Sequence, residues 1–305
     1  ECAYCYTTEN LKRCGVCKSS FYCSREHQRK DWPSHKKYCK KPFTALPLCE
    51  TPEQSLLTTV SKSCKFLDTI SIFLDHPTND PECDFAADDL YFPRVKFIEF
   101  KNVNMKSFTF TEKNTPRLEK FRILSGGNRE AYEFNLSAPK LTLLELKNFK
   151  LVTKKNMTNP LGLSISRSPN LKHVRICEVQ SIGEFNCILP NCEEFSIVAN
   201  TDKTCCNIWY APKLTELSFE ECVGLRARCY NRPGITLELI EQLSYGKPLK
   251  PVETLLKEVK EQPSFGLPKC EVLKIEARLD AETISFFESN DRFEVEEDDE
   301  YCNCG

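Results

Sequence analysis

The chain has 305 residues, 42 of them basic and 44 acidic, and a net charge of −2 with histidine neutral. So even a balance sets up no global field toward nucleic acid or an anionic membrane, and no run of eighteen apolar residues exists to span a bilayer. Nineteen cysteines first suggest a disulfide protein, but the count is odd, six fall at metal-ligand spacing and thirteen are scattered, so a reducing compartment is predicted, the cytosol or the nucleus.

The chain starts at Glu1, directly before a cysteine, so a preceding segment is expected and the absence of a targeting peptide carries no weight. The metal-capable residues then read Cys2-x2-Cys5-x8-Cys14-x2-Cys17-x5-Cys23-x3-His27-x7-His35-x3-Cys39. These eight ligands within thirty-eight residues make two tetrahedral zinc sites. A stretch this short cannot bury enough apolar surface to fold alone, whereas each structural zinc contributes about 10–16 kcal/mol that becomes folding free energy.

Within the module, Cys5 to Cys14 is a loop carrying Leu11, and Ser20-Phe21-Tyr22 suits a small hairpin. A helix follows, with Ser24 as its cap, Glu26 in the first turn and Pro33 interrupting the run after Trp32. Cys23 and His27 lie four apart on one face, and His35 and Cys39 repeat that spacing one step later. Two such pairs in series point to a cross-brace: Cys2, Cys5, Cys23 and His27 hold one zinc, and Cys14, Cys17, His35 and Cys39 the other. Every ligand position is a protein residue, so no coordination site is open to water or substrate and both Zn2+ ions are structural.

This spacing, with Tyr22-Cys23-Ser24, Gln28, Asp31-Trp32 and His35-Lys36-Lys37-x-Cys39, resembles the MYND zinc fingers. Most of that family has cysteine where His27 stands. The finger of the hypoxia-factor prolyl hydroxylases shares Glu26-His27-Gln28, and the run Ser20-Phe21-Tyr22-Cys23 looks most like theirs. The resemblance covers only the first forty residues. It implies the interleaved topology and a groove beside the helix for short proline-containing peptides of PxLxP-like or PxLE-like sequence. Gln28 and Trp32 would line that groove, the amide facing the peptide backbone and the indole giving a flat apolar face. The alternative is a Trp32 that only packs the small core. The finger's ten basic against four acidic residues make a mild basic patch, more often solvated surface than a DNA site.

Lys40 to Glu50, with Pro42 and Pro47, reads as a connector. Thr51 then caps a predicted helix with Pro52 at its first position, Gln54 closing a capping box, and Leu56, Leu57, Val60 and Cys64 on one face. Leu46-Pro47 followed by Leu56-Leu57 and Cys64-Lys65-Phe66 faintly resembles the two ends of an F-box, in a stretch too short for that module's three helices.

From Pro93 one phrase recurs: proline, any residue, apolar, two residues, apolar, one residue, apolar. It appears at Pro93, Pro116, Pro139, Pro169, Pro190, Pro212 and Pro268, and Leu67/Ile70/Ile72 gives an eighth copy without the proline. Spacings of 23, 23, 30, 21, 22 and 56 residues are those of leucine-rich repeats apart from the last. Each phrase is a strand whose alternate residues point inward, and eight strands at ~4.8 Å give a parallel sheet about 34 Å long. The resemblance is to irregular leucine-rich repeats, without their consistent asparagine. The middle outward column becomes Ser71, Glu99, Arg122, Glu145, Arg175, Ser196, Ser218 and Lys274, a mixed-charge face that fits protein binding or merely cross-strand solubilising pairs. His173 reads as a surface residue.

Between Pro212 and Pro268, Thr236 to Tyr245 and Pro251 to Gln262 carry helical patterns, an inserted pair on the convex side. A final helix over Ala281 to Ser289 precedes an acidic tail from Glu294 to Glu300. The pairs Cys187/Cys192, Cys205/Cys206 and Cys302/Cys304 lack partner pairs at finger spacing and read as buried or incidental thiols.

The expected fold class is thus α/β: a small two-zinc cross-brace finger (1–41), a linker and capping helix (42–62), a leucine-rich-repeat-like solenoid with a parallel β-sheet (63–290, helical insertion 233–263) and an acidic tail (291–305). No enzyme is expected. The histidines are His27, His35, His76 and His173, none starting an iron-binding His-x-Asp/Glu motif, and no Walker loop, dinucleotide loop or nucleophile elbow is present. The pattern predicts an adaptor, its finger binding proline-containing peptides and its solenoid a second protein, with a ubiquitin-ligase substrate receptor of F-box type as the alternative. Near-neutral charge argues against nucleic acid, and no membrane partner is expected.

Overall fold

A computed structural model describes residues 2–16, 20–39, 45–48, 61, 67–73, 83–85, 90–103, 105–124, 130–131, 133–151, 160–180, 184–199, 204–244 and 268–279. Cys17, most of the helix predicted from Thr51, the second inserted helix, the final helix, Cys302, Cys304 and the acidic tail lie outside them. The described residues are mostly β-strand, forming a small N-terminal finger and a parallel-sheet solenoid. None of their helices is long and apolar enough to cross a membrane.

In the finger, β1 (Lys12–Arg13) and β2 (Phe21–Tyr22) pair antiparallel, Lys12 opposite Tyr22, and α1 runs over Arg25–Cys39. Ser24 caps α1 as its sequence predicts, Oγ accepting from the His27 N–H at 3.1 Å. Pro33 does not interrupt the helix, although an interior proline costs roughly 3 kcal/mol. Side chains of the two cysteine/histidine groups flank it, His27 before and His35 and Cys39 after. The finger's core is Cys2, Cys14, Tyr22 and Cys39, with Leu11 and Cys23 packed against them. Apolar burial on that scale cannot order thirty-eight residues.

The solenoid's front face is one sheet of parallel strands in chain order: β3 (Ala45–Leu48), β4 (Thr69–Phe73), β6 (Phe97–Lys101), β8 (Lys120–Leu124), β11 (Leu143–Leu151), β12 (His173–Gln180), β14 (Glu194–Val198), β16 (Glu216–Cys229) and β17 (Val272–Leu279). The register places Ser71, Glu99, Arg122, Glu145, Arg175, Ser196, Ser218 and Lys274 in one column, as the repeated phrase requires. The sheet begins earlier than its phrase does. Ala45–Leu48, inside the stretch that reads as a connector, pairs with Thr69–Ile72, and Pro47 extends the column. A proline is tolerated in a strand that needs its N–H on one side only.

The proline recurs because it occupies the second position of a β-turn, where its fixed φ is already correct. The N–H groups of Leu118, Leu141, Leu171, Cys192 and Leu214 donate to the carbonyls of Thr115, Ala138, Ser168, Leu189 and Ala211, each three residues back and just before the proline. At the sixth position from the start of five front strands, Asn102, Asn148, Glu178, Ala199 and Glu221 take φ between 51° and 56°. This left-handed step swings the chain off the front sheet once per repeat.

The back layer, which the sequence left unspecified apart from a helical pair, is also largely strand. β5 (Cys83–Phe85), β7 (Met105–Thr111) and β10 (Glu133–Ser137) form one parallel sheet, and β9 (Glu130–Ala131) joins the far end of β11. β13 (Glu184–Ile188) and β15 (Cys205–Tyr210) form another with the second half of β16, which bends from front to back. Between these back sheets sits α2 (Pro160–Ser166). Its end serves both neighbours: Ser164 and Ser168 Oγ accept from the N–H groups of Leu136 and Ala138, and Ser166 Oγ from Ile188. Hydroxyls thus satisfy donors that an adjacent strand would have taken. Gly162 lets the helix close in, since a Cβ there would lie 2.5 Å from the Asn186 carbonyl oxygen.

α3 (Leu237–Ser244) is the first inserted helix, capped by Thr236 and packing Ile240 against Leu163, Trp209 and Tyr230. Front and back strands enclose one continuous core, in which Phe121 meets Phe100 and Phe110 across ring distances of 6.1 and 5.2 Å.

Candidate metal centres

The β1–β2 hairpin and α1 bring the first and third cysteine/histidine pairs together. Cys5 Sγ lies 3.5 Å from Cys23 Sγ, Cys2 Sγ 3.9 Å from His27 Nδ1, and Cys23 Sγ 3.0 Å from His27 Nδ1. The four donor atoms all fall within 4.8 Å of one another. A tetrahedron with Zn–S bonds of about 2.3 Å has edges of roughly 3.8 Å, so the observed spacings fit one ion at the centre. His27 offers Nδ1, the nitrogen facing both sulfurs.

The second group is Cys14, His35 and Cys39, again within 4.8 Å, with the two sulfurs 3.7 Å apart. Cys17, the fourth ligand by spacing, lies outside the described residues. His35 Nδ1 is 3.2 Å from Ser20 Oγ, which leaves Nε2 for a metal. Ser20 is a supporting residue that spacing did not single out, and its position beside the hairpin strand was the only signal available.

The charge arithmetic of the first group favours a cation. Burial pushes the Cys2 thiol up, but the backbone N–H groups of Cys23, Cys5 and Tyr4 together outweigh it and bring it to about 5. The Cys23 thiol goes the other way, to about 11, through burial and then its bonds to Cys5 and Cys2. One proton leaves readily and the neighbouring charge holds the next in place. A dication at the centre removes that repulsion and lets every thiol ionise.

Tyr22 closes the finger's small core. Its hydroxyl donates to Asp31 Oδ2 at 2.5 Å, and burial followed by that bond raises the phenol above its ordinary range. Gln28 and Trp32 lie four apart on α1, and so on one face. Trp32 is 42% exposed with its ring 5.7 Å from that of His35, so it rests on the second site's ligand and still offers a large apolar surface.

No third thiol group of this kind exists among the described residues. Cys187, Cys192, Cys206, Cys222, Cys229 and Cys270 are buried in the solenoid as thiols. Cys192 shows their state: burial pushes its thiol up to about 12, and Sγ donates to the Glu194 carbonyl. His173, on the front face, stands 3.0 Å from Glu194.

With this geometry in place, comparison with known proteins agrees with it. The MYND finger family matches residues 2–39, and this segment is a MYND zinc finger. Over 39 residues it is 59% identical to mouse Egl nine homolog 1, aligning 13% of this chain with 10% of that protein. The human Egl nine homolog 1 aligns at 56% over 45 residues, 15% of this chain and 11% of the relative. Human N-lysine methyltransferase SMYD2 aligns at 54% over 39 residues, 12% and 9% of the two chains. The chain thus covers only about a tenth of the length of these relatives. No solved structure matches it.

Proposed function

We propose that the protein is a zinc-dependent, non-catalytic adaptor of the cell's reducing compartments, with two binding surfaces. MYND fingers are protein-interaction modules. Here the finger takes short proline-containing peptides of PxLxP-like or PxLE-like sequence, Trp32 supplying the apolar wall and Gln28 an amide for the peptide backbone. The solenoid, of the leucine-rich-repeat kind, holds a second protein on its front face. The observation that carries the reading is Trp32, 42% exposed on α1 and four residues from Gln28 on the same face. The solenoid's buried thiols support the reducing compartment.

The test is a PxLxP peptide array probed with the zinc-loaded chain. Binding that Trp32→Ala abolishes, with two zincs still bound, supports the adaptor; binding indifferent to Trp32→Ala overturns the groove. Recovery of cullin-ligase core subunits with the chain, lost when Leu46 to Phe66 is deleted, would instead favour a substrate receptor.

A further inference from the structure

The two halves of the front face treat their charges differently. Between β6 and β11 the column neutralises itself, Arg122 lying 3.6 Å from Glu99 and 3.0 Å from Glu145, while Lys96 pairs with Glu119 at 2.7 Å. Between β12 and β16 the edge pairing persists, Lys172 meeting Glu193 at 2.8 Å just before the strands, but the strand residues themselves are less evenly matched. Glu194 and Glu216 stand directly opposite each other in register, a like-charge pair that destabilises a sheet. Glu216 makes no ion pair among the described residues, and Glu220 takes only the Ser218 hydroxyl, at 2.5 Å. Among the described residues Glu194 has only His173 as an ionic partner. Arg175 is exposed and likewise without an ion pair among the described residues, because its neighbour Glu145 is held by Arg122.

Between these unused charges the column turns small. Ser196 and Ser218 occupy positions where the preceding strands carry Glu99, Arg122, Glu145 and Arg175. The short side chains open a depression of about 570 Å³ on the sheet face, floored by the serines and edged by Arg175, Glu194, Glu216 and Glu220.

We infer that this part of the front face docks an extended segment of a partner protein, one that places a lysine or arginine over Ser196 and Ser218 and a carboxylate against Arg175. The inference deepens the proposed second-protein surface and rests on it. Charge complementarity selects the occupant. A basic side chain between Glu194, Glu216 and Glu220 relieves a repulsion that His173, at Glu194, and Lys274, beside Ser218 in the column, offset only in part, and the two serine hydroxyls supply further acceptors. Arg175 is one strand from the serine floor, so the partner's acid and base sit roughly 5–10 Å apart. A polyanion fares worse on the same face, meeting Glu194, Glu216 and Glu220 against Arg175 and, one strand further, Lys274.

A random dodecapeptide phage library selected on the full, zinc-loaded Trp32→Ala chain tests this, since that variant silences the finger's groove. The expected result is enrichment of peptides carrying Lys or Arg a few residues from Asp or Glu. Synthetic copies should bind at least tenfold more weakly to Glu216→Gln/Glu220→Gln and a few-fold more weakly to Arg175→Gln, with unchanged circular dichroism. Enriched peptides that bind the double variant equally well would overturn the docking site and leave the second-protein surface standing. No enrichment on Trp32→Ala would overturn both. A labelled thymidine oligonucleotide that competes for the site would make the face a nucleic-acid surface and refute the inference.

Discussion

The finger and the solenoid solve the same problem, ordering a chain, by opposite means. The finger has a core of four buried side chains, three of them cysteines, and gathers its thiols into two groups that could each hold a metal ion. The solenoid buries a continuous column of Leu, Ile, Val, Phe and Cys between front and back strands and keeps its thiols protonated. Cysteine therefore means two different things in one molecule: a candidate ligand where several donor side chains converge, a small apolar filler where it is buried alone among aliphatic neighbours.

The chain's two tryptophans report on the two regions separately, Trp32 on the finger and Trp209, 1% exposed, on the solenoid. Chelation gives the largest contrast. Stripping both zincs with EDTA should remove about 10–16 kcal/mol per site and unfold the finger, seen as a change in Trp32 emission in a Trp209→Phe background. Trp209 emission in a Trp32→Phe background should hold its thermal midpoint; a shift there would mean that the solenoid leans on the metal.

Phe121→Ala is the converse experiment. It empties the aromatic contact between front and back layers and should cost about 3–5 kcal/mol in the Trp209 transition while the chain still binds two zincs. Next is Gly162→Ala, which drives a methyl into the Asn186 carbonyl and should cost about 1–3 kcal/mol by denaturant midpoint, again with zinc content unchanged. Smallest is Ala199→Gly. At a φ of 51° the methyl is strained, so the substitution should stabilise the solenoid by about 1 kcal/mol.

The front sheet was legible because each strand carries two independent marks, a proline suited to one turn position and apolar residues at alternate places inward. The metal groups were legible because the i, i+4 pairs on one helix leave few ways to share two ions. The back layer carried neither mark. Cys83–Phe85 is too short to show alternation, and Cys205–Tyr210 is buried along four consecutive residues because one side meets the core and the other meets α2 and α3. α2 was hidden by Gly162 and its serines, which lower helix propensity but are the residues its two neighbours require. Pro33 misled for a related reason, since a propensity rule yields to anchors on both sides of the break.

The short join between the last zinc ligand and the first strand has one more consequence. Cys39 and Ala45 are six residues apart, so whatever path residues 40–44 take, the two cannot separate by more than roughly 21 Å. On the proposed function, a partner that bears both a proline-containing motif and a matching dipolar segment meets its second site at millimolar effective concentration once the first is engaged. Two weak contacts then hold as one strong one, and loss of zinc lowers the affinity of the whole rather than of the finger alone.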